Sequence, residues 1–230
     1  MRKITVAIDG FSSTGKSTIA KQLAKVLGYV YVDTGAMYRA VTLFAIRKNF
    51  VDEFSLKKPD IITSLSDIQL KFVANSETGK SDMYLNEENV EREIRTMEVS
   101  RQVSKIATIK EVREKLVIMQ QQMGTEKAIV MDGRDIGTVV FPDAELKIFM
   151  TASPQARAHR RYKELLDRGD KVSYEEVLKN VQERDHIDST REESPLRKAE
   201  GAIEIDNSDM GLEEQLERIH NYALRIIEQQ

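Results

Sequence analysis

The sequence predicts an α/β fold built on a parallel sheet, and three observations carry that prediction. Near the N-terminus an apolar strand, a glycine-rich loop and a helix follow in order, and a second strand and helix repeat the alternation. Two later runs, Ala128–Asp132 and Leu146–Met150, are apolar without alternation, as in strands covered on both faces. With 230 residues, 40% of them hydrophobic and 32% charged, the chain can bury one sizeable core.

Each element has a local reason. Ile4–Ile8 reads as a short buried strand because it is apolar with β-branched residues. Lys16–Leu27 is a helix by the spacing of Ile19, Leu23 and Leu27, and Gly28 ends it as a C-cap glycine. Tyr29–Val32 is the second strand and Met37–Lys48 the second helix. Residues 51–90 break the alternation with Pro59, a polar turn at Asn75–Lys80 and alternating runs such as Ile68–Phe72. That pattern predicts a small, partly antiparallel insert. Helical spacing resumes from about Ile94 to Met123. Ser153-Pro154 starts a further helix, with serine as N-cap and proline at the first helical position. Ser173-Tyr174-Glu175-Glu176 is a capping box opening the next. A last strand spans Ala202–Ile205, and Leu212, Leu216, Ile219, Ala223 and Ile226 give the C-terminal helix one apolar stripe for core packing.

Composition removes several function classes. The absence of cysteine excludes disulfides, thiolate nucleophiles and cysteine-ligated zinc. His159, His186 and His220 are too scattered for a metal-binding helix of the HExxH type. A net charge of −3 gives no bulk drive toward nucleic acid or anionic membrane. Every apolar run falls far short of the ~18 residues of a membrane span. Asp9 also cuts the N-terminal apolar run too short for a signal peptide. A soluble, cytoplasmic monomer with neither nucleic-acid nor membrane partners is expected.

The segment with the clearest chemistry is Gly10-Phe11-Ser12-Ser13-Thr14-Gly15-Lys16-Ser17, which fits G-x-x-x-x-G-K-[ST] at every fixed position. Glycines let the backbone bend so that successive N–H groups face one anion, and the helix N-terminus adds its dipole. Lys16 would reach the β- and γ-phosphates as a compact charge, and the Ser17 hydroxyl can ligate Mg²⁺. A strand before and a helix after supply the required context, so the loop, with Thr18 beyond it, is read as a nucleoside-triphosphate site. No DxxG switch and no NKxD base reader occurs, which points to ATP rather than a regulatory GTPase. The chain length suits a small kinase.

A second phosphate has a candidate site at Asp33-Thr34-Gly35-Ala36-Met37-Tyr38-Arg39, where the Thr34 hydroxyl, a glycine and Arg39 gather at a strand-to-helix junction. An N-capped helix with an exposed arginine would look the same, so this segment alone does not decide. Arg184, Asp188 and Arg191 recur at helical spacing on one face, compatible with a simple charge ladder. In the Ser153-Pro154 helix, Arg160 could pair with Glu164, although arginine before glutamate is the weaker order.

Taken together, Gly10–Thr18, Asp33–Arg39, Ile94-Arg95-Thr96, the stretch Asp132-Gly133-Arg134-Asp135-Ile136-Gly137-Thr138-Val139-Val140-Phe141-Pro142, and Arg157-Ala158-His159-Arg160-Arg161 resemble the bacterial cytidylate kinase family. The matches run in order from about residue 4 to residue 206. The resemblance implies a P-loop three-layer α/β fold with a parallel sheet core, a small monophosphate-binding insert and a helical lid. On that pattern residues 1–230 form a single domain, with core at about 1–50, 91–152 and 200–230, insert at about 51–90 and lid at about 153–199. It implies ATP-dependent phosphorylation of CMP and dCMP with Mg²⁺.

The resemblance also implies residue roles. Ser104, Arg113 and Asp135 correspond to the readers of cytosine, which offers an N4 amino donor and acceptors at N3 and O2. One carboxylate and one or two donors are the right types for that base. Without the motif around them, Asp135 and Arg113 would read as an ordinary ion pair. Arg184 and Asp188 correspond to the contacts on the substrate ribose, and Arg39, Arg134 and Arg191 to those on its phosphate. Arg157, Arg160 and Arg161 correspond to the lid arginines, Arg157 on ATP and the other two, with Lys16, on the moving phosphoryl group. The glycine of Arg168-Gly169-Asp170-Lys171 suits the loop between lid helices. Asp132, ending a buried strand, would hold the metal through water. Two departures from the family pattern stand out: Phe11 where many members have proline, and Ala36 where adenylate-kinase-like loops have an acid, which argues against AMP.

Three other readings compete. A shikimate- or gluconate-type kinase is disfavoured by the base-reading residues and the insert. A non-catalytic ATP-dependent switch would bind ATP without an acceptor. RNA binding through residues 157–198 is opposed by the interleaved acids and the lack of aromatic stacking platforms.

Overall fold

The computed structural model describes residues 2–75 and 80–229. In chain order the elements are β1 (Thr5–Gly10), α1 (Lys16–Leu27), β2 (Val30–Asp33), α2 (Thr34–Arg47), α3 (Lys58–Thr63), β3 (Leu70–Asn75), β4 (Lys80–Leu85), β5 (Glu88–Asn89), α4 (Met97–Ile106), α5 (Lys110–Met123), β6 (Ile129–Gly133), β7 (Leu146–Thr151), α6 (Pro154–Asp167), α7 (Tyr174–Thr190), β8 (Ile203–Asp206) and α8 (Leu212–Glu228). Two compact units emerge. One joins Met1–Asp33 to Met119–Gln230, and the other runs from Thr34 to Ile118.

The first unit holds a five-stranded sheet in the order β2-β6-β1-β7-β8. Every pairing in it is parallel, and helices lie on both sides of the sheet. Every residue of β1 and of β6 is buried, which is why neither run alternates in sequence. Ile4, Val6 and Ile8 pack with Ile19 and Leu23 of α1 and with Ile219, Ala223 and Ile227 of α8 in one apolar cluster. The chain moves from β1 outward to β2 on one side and later from β6 to β7 on the other. The C-terminal end of β1 is therefore a topological switch point, where open parallel sheets form their ligand crevices.

Helix ends follow their predicted signals. Gly28 caps α1 in the left-handed conformation (φ 68°). The Ser153 hydroxyl accepts from Ala156 N–H to start α6, and the Ser173/Glu176 capping box opens α7 in both directions. Gly169 (φ +86°) makes the turn between α6 and α7. In α8 the buried stripe is Gln215, Ile219, Ala223 and Ile227, while Leu212 is exposed.

The second unit contains an antiparallel sheet, β3-β4-β5, with Leu70 opposite Leu85 and Asn75 opposite Lys80. The predicted turn residues Ser76–Gly79 lie outside the described residues. The unit reaches beyond the 51–90 stretch on both sides. Arg47, in the last turn of α2, donates two hydrogen bonds to Glu88 (2.6 and 2.8 Å) and one to Glu93 (2.6 Å), tying helix to insert.

Four local readings need correction. Helix α2 begins at Thr34 with no loop after β2, three residues earlier than its spacing suggested. The helical run 94–123 is interrupted: a short turn at Glu93–Arg95 precedes α4, and Ala107–Ile109 separate α4 from α5. The 51–90 stretch, read as a partly antiparallel insert, also holds the short helix α3, with Pro59 in its first turn where a missing N–H costs nothing. Arg191 caps α7 rather than lying within it.

Leu23 is fully buried between the sheet and α8. Leu23→Ala is expected to lower unfolding stability by about 2–5 kcal/mol through lost burial and a residual cavity. Denaturant titration checks it, and a cost under about 1 kcal/mol would contradict the packing.

Candidate active site

The loop after β1 is shaped by steric demands that its glycines meet. A Cβ on Gly10 (φ +147°) would sit 2.0 Å from the Met150 carbonyl oxygen of β7, so β1 passes its neighbour only with glycine there. Ser13 (φ 59°) and Gly15 (φ 90°) are left-handed, and Gly15 caps α1 without any side-chain acceptor. The first N–H groups of α1 thus face outward with the positive end of its dipole, which suits an anion. Side chains hold the loop through its carbonyls. Asn207 Nδ2 donates to Thr14 O (2.7 Å), Arg157 Nη1 to Ser12 O (3.2 Å), and Thr14 Oγ1 to Phe11 O (3.0 Å). Each of these contacts uses a carbonyl and none uses a loop N–H.

Lys16, only 4% exposed, donates to Phe11 O at 2.5 Å and to Thr14 Oγ1 at 3.3 Å. Burial pushes its ammonium well below the usual lysine range, and Arg134 and Arg184 push the same way against Asp132 and Asp9. Asp132, on β6, accepts from Ser17 Oγ (2.9 Å) and from the Tyr31 hydroxyl (2.7 Å). Burial raises its carboxyl to about 6, with Asp33 adding to the rise and Lys16 opposing it. The same burial, with Asp132 and Asp33 nearby, holds Tyr31 well above its ordinary value, so its hydroxyl stays a donor. Among the described residues no group of three acidic or histidine side chains could cage a metal. The paired oxygens of Ser17 and Asp132 are hard donors, and they fit Mg²⁺, which takes few protein ligands and completes its shell with water and phosphate.

One helix, α6, brings two arginines to this loop. Arg157 is buried on α6. Its Nε donates to Ala152 O (2.9 Å), its two Nη groups clamp Asp185 (2.9 and 2.6 Å), and its guanidinium lies 5.2 Å from the Phe11 ring centre. Arg160 donates to Asn207 Oδ1 (2.9 Å) and Asn207 O (2.6 Å). Glu164 pairs with Arg161 (2.8 Å), correcting the pairing with Arg160 suggested by spacing alone.

On α7, Asp188 accepts from Arg134 Nε (2.9 Å) and lies 3.6 Å from Arg191 Nη1. Burial would raise the Asp188 carboxyl, but Arg134, Arg184 and Arg191 outweigh it and hold the group below its usual range. Buried Arg184 is pushed down to about 10 by burial and by Arg134 and Arg161, with Asp188 opposing. Lys16 and Arg184 therefore both feel the charge of Arg134, Lys16 feels Arg184, and Arg184 feels Arg161, a crowding of cations that folding alone does not require. Asp135, also buried, precedes a wide single turn at Ile136–Val140.

The remaining predicted residues belong to the second unit, on three helices. Thr34 is buried at the start of α2, and Arg39 Nη1 donates to Ile94 O (3.2 Å). Ser104 is buried on α4. On α5, buried Arg113 donates to Ala107 O (3.2 Å) and lies 5.4 Å from the Tyr38 ring centre. Tyr31, Asp185 and Asn207 were not anticipated. Strand parity could have flagged Tyr31, because it shares a face of β2 with Asp33. No sequence signal marks Asn207, which meets Thr14 across 193 residues.

Comparison with known proteins identifies the family of the chain. The cytidylate kinase family matches residues 6–225. A protein of Flavobacterium johnsoniae named cytidylate kinase is 66% identical over 215 residues, covering 94% of each chain. One of the same name from Parabacteroides distasonis is 60% identical over 96% of this chain and 98% of its own. Another, from Bacteroides thetaiotaomicron, is 53% identical over the full length of both.

Asn207 braces the phosphate loop and Arg160 together. Asn207→Ala is expected to weaken binding of a nucleoside triphosphate by about tenfold, in line with two lost buried hydrogen bonds. Titration calorimetry measures it, and unchanged affinity would show the brace to be dispensable.

Proposed function

From the premise that the chain belongs to the cytidylate kinase family, we propose that it transfers the terminal phosphoryl group of ATP to CMP and dCMP, giving ADP with CDP or dCDP. The observation that carries this reading is identity of 53–66% to cytidylate kinases over nearly the whole chain. The shape of the Gly10–Ser17 loop supports it independently.

Phosphoryl transfer through a loose transition state needs alignment and charge neutralisation more than covalent chemistry. In this reading the loop from Gly10 to Thr18 cradles the ATP phosphates, Arg157 lies against ATP, and Lys16, Arg160 and Arg161 offset charge on the moving group. Ser17 holds Mg²⁺, with Asp132 acting through water, and the ion when bound neutralises phosphate charge. Thr34, Arg39, Arg134 and Arg191 take the acceptor phosphate, and Arg184 and Asp188 the ribose. Asp188, kept ionised by its arginines, is a ready acceptor for ribose hydroxyls. The acceptor is already a phosphate oxygen, so no strong base is needed. Water must be excluded, since otherwise ATP would hydrolyse.

For the base, Asp135 accepts from N4 while Arg113 and Ser104 donate to N3 and O2. Uracil would set O4 against the carboxylate and its N3–H against the arginine. Each mismatched buried group costs roughly 1–3 kcal/mol, so cytosine is favoured. The reading places the enzyme in the cytoplasm, as its lack of cysteine suits a reducing compartment. No described helix is long and apolar enough to cross a membrane.

The test is ADP release from ATP and Mg²⁺ with CMP, dCMP, UMP, AMP, GMP, shikimate or no acceptor. Turnover with CMP and dCMP far above the rest is expected, and comparable turnover with another acceptor, or none, would overturn the reading. Asp135→Ala is expected to reduce the CMP-over-UMP preference in kcat/KM by about tenfold or more. Full retention would remove Asp135 from the base site.

A further inference from the structure

Asp9 is the penultimate residue of β1, directly before the phosphate loop, and takes no part in the reaction described above. Its side chain is buried, at 3% exposure. Oδ1 accepts the Ile136 N–H at 2.8 Å and Oδ2 the Gly137 N–H at 2.7 Å, across 127 and 128 residues of sequence. The turn that begins there is wide. Val140 N–H reaches back to Asp135 O (3.2 Å) and Phe141 N–H to Ile136 O (2.7 Å), both i→i+5. Such a turn leaves its leading N–H groups without partners inside it. Asp9 supplies both acceptors from the neighbouring strand. The register makes this possible, since Asp9 stands opposite Gly133 of β6, two residues before Asp135.

A carboxylate is a demanding choice here. Burial and the adjacent Asp135 raise it to about 7 against the pull of the two N–H groups and Lys16. A neutral amide would escape that burden, yet could not offer two acceptor oxygens on one rigid fork. A Cβ on Gly137 would touch Asp9 Oδ2 at 3.4 Å and would crowd Ala199 Cβ at 3.3 Å.

We propose that Asp9 is a positioning residue for the acceptor base, gripping the Ile136–Gly137 N–H pair so that Asp135 keeps one fixed backbone conformation and its carboxylate one fixed aim. Through it, the strand that ends in the phosphate loop also sets the base-reading turn. The inference rests on the reading of Asp135 as the residue that meets N4.

The experiment compares wild type, Asp9→Asn, Gly137→Ala and Asp135→Ala, measuring kcat and KM for CMP, UMP and ATP together with Tm. Asp9→Asn is nearly isosteric but turns one N–H acceptor into a donor. It is expected to raise KM for CMP by about tenfold and cut the CMP-over-UMP ratio of kcat/KM by about tenfold. In the same variant KM for ATP should stay within about threefold. Gly137→Ala sets a methyl group against the same oxygen and against Ala199 while leaving both acceptor oxygens in place, so it should move the same quantities in the same direction by less. If Asp9 only supports the fold, both variants lower Tm or weaken CMP and ATP alike while the CMP-over-UMP ratio holds, and the proposal falls. If Asp9→Asn does not fold, the Gly137→Ala ratio decides. Loss of discrimination in Asp135→Ala with full retention in the other two would sink the role of Asp9 alone. Retention in Asp135→Ala as well would sink the base reading beneath it.

Discussion

The buried ammonium of Lys16 is the charge around which the first unit is arranged. It sits at the head of α1, where the helix start follows a left-handed glycine and has no side-chain cap. Arg134 and Arg184 add positive charge nearby and depress the lysine further, while Asp132 and Asp9 pull the other way. Burying like charges together is unfavourable unless an anion completes the set. A triphosphate is such an anion. The arrangement is a binding energy source held ready by the fold, in which preorganised cations meet charge without rearranging.

What keeps these charges in place is a frame of polar contacts with long sequence separation. Asn207, just beyond β8, ties the loop carbonyl of Thr14 to Arg160 and to Gln215 of α8. Asp185 and the Ala152 carbonyl fix Arg157, which in turn lies against Phe11. The aromatic ring of Phe11 thus has a packing role of its own. It faces Phe149 edge-on on one side and the Arg157 guanidinium on the other. Asp132 of β6 is shared by Ser17 of α1 and Tyr31 of the neighbouring β2, so the Ser17 hydroxyl is oriented by β6 directly and by β2 through the shared carboxylate.

Much of this was legible in the sequence where the signal is local. The Gly10–Ser17 spacing, the Gly28 cap, the Ser173–Glu176 capping box and the unalternating strands at 4–8 and 128–132 each encode their geometry within a few residues. The interruption at Ala107–Ile109 was not legible, because no glycine or proline marks it and apolar spacing runs on across it. Helix α3 was not legible because its six residues are too few to show a helical period, although Pro59 suits its first turn. The contacts of Asp9, Tyr31 and Asn207 depend on strand order and register. Nothing short of the sheet β2-β6-β1-β7-β8 places Asp9 beside Ile136. The roles of Ser104, Arg113 and Asp135 came from family resemblance, since a buried serine, arginine or aspartate has many structural uses.

The account turns on Lys16 carrying a charge that the fold disfavours and a phosphate restores. The direct measurement is the titration of the Lys16 side chain by ¹³Cε NMR in selectively labelled protein, assigned with Lys16→Arg, free and with a non-hydrolysable ATP analogue. Burial lowers the folded-state pKa, so the free protein should release the Lys16 proton at distinctly lower pH than an ordinary lysine. Bound triphosphate should move that titration back upward. An ordinary lysine titration in the free protein, unmoved by the nucleotide, would contradict the account at its centre.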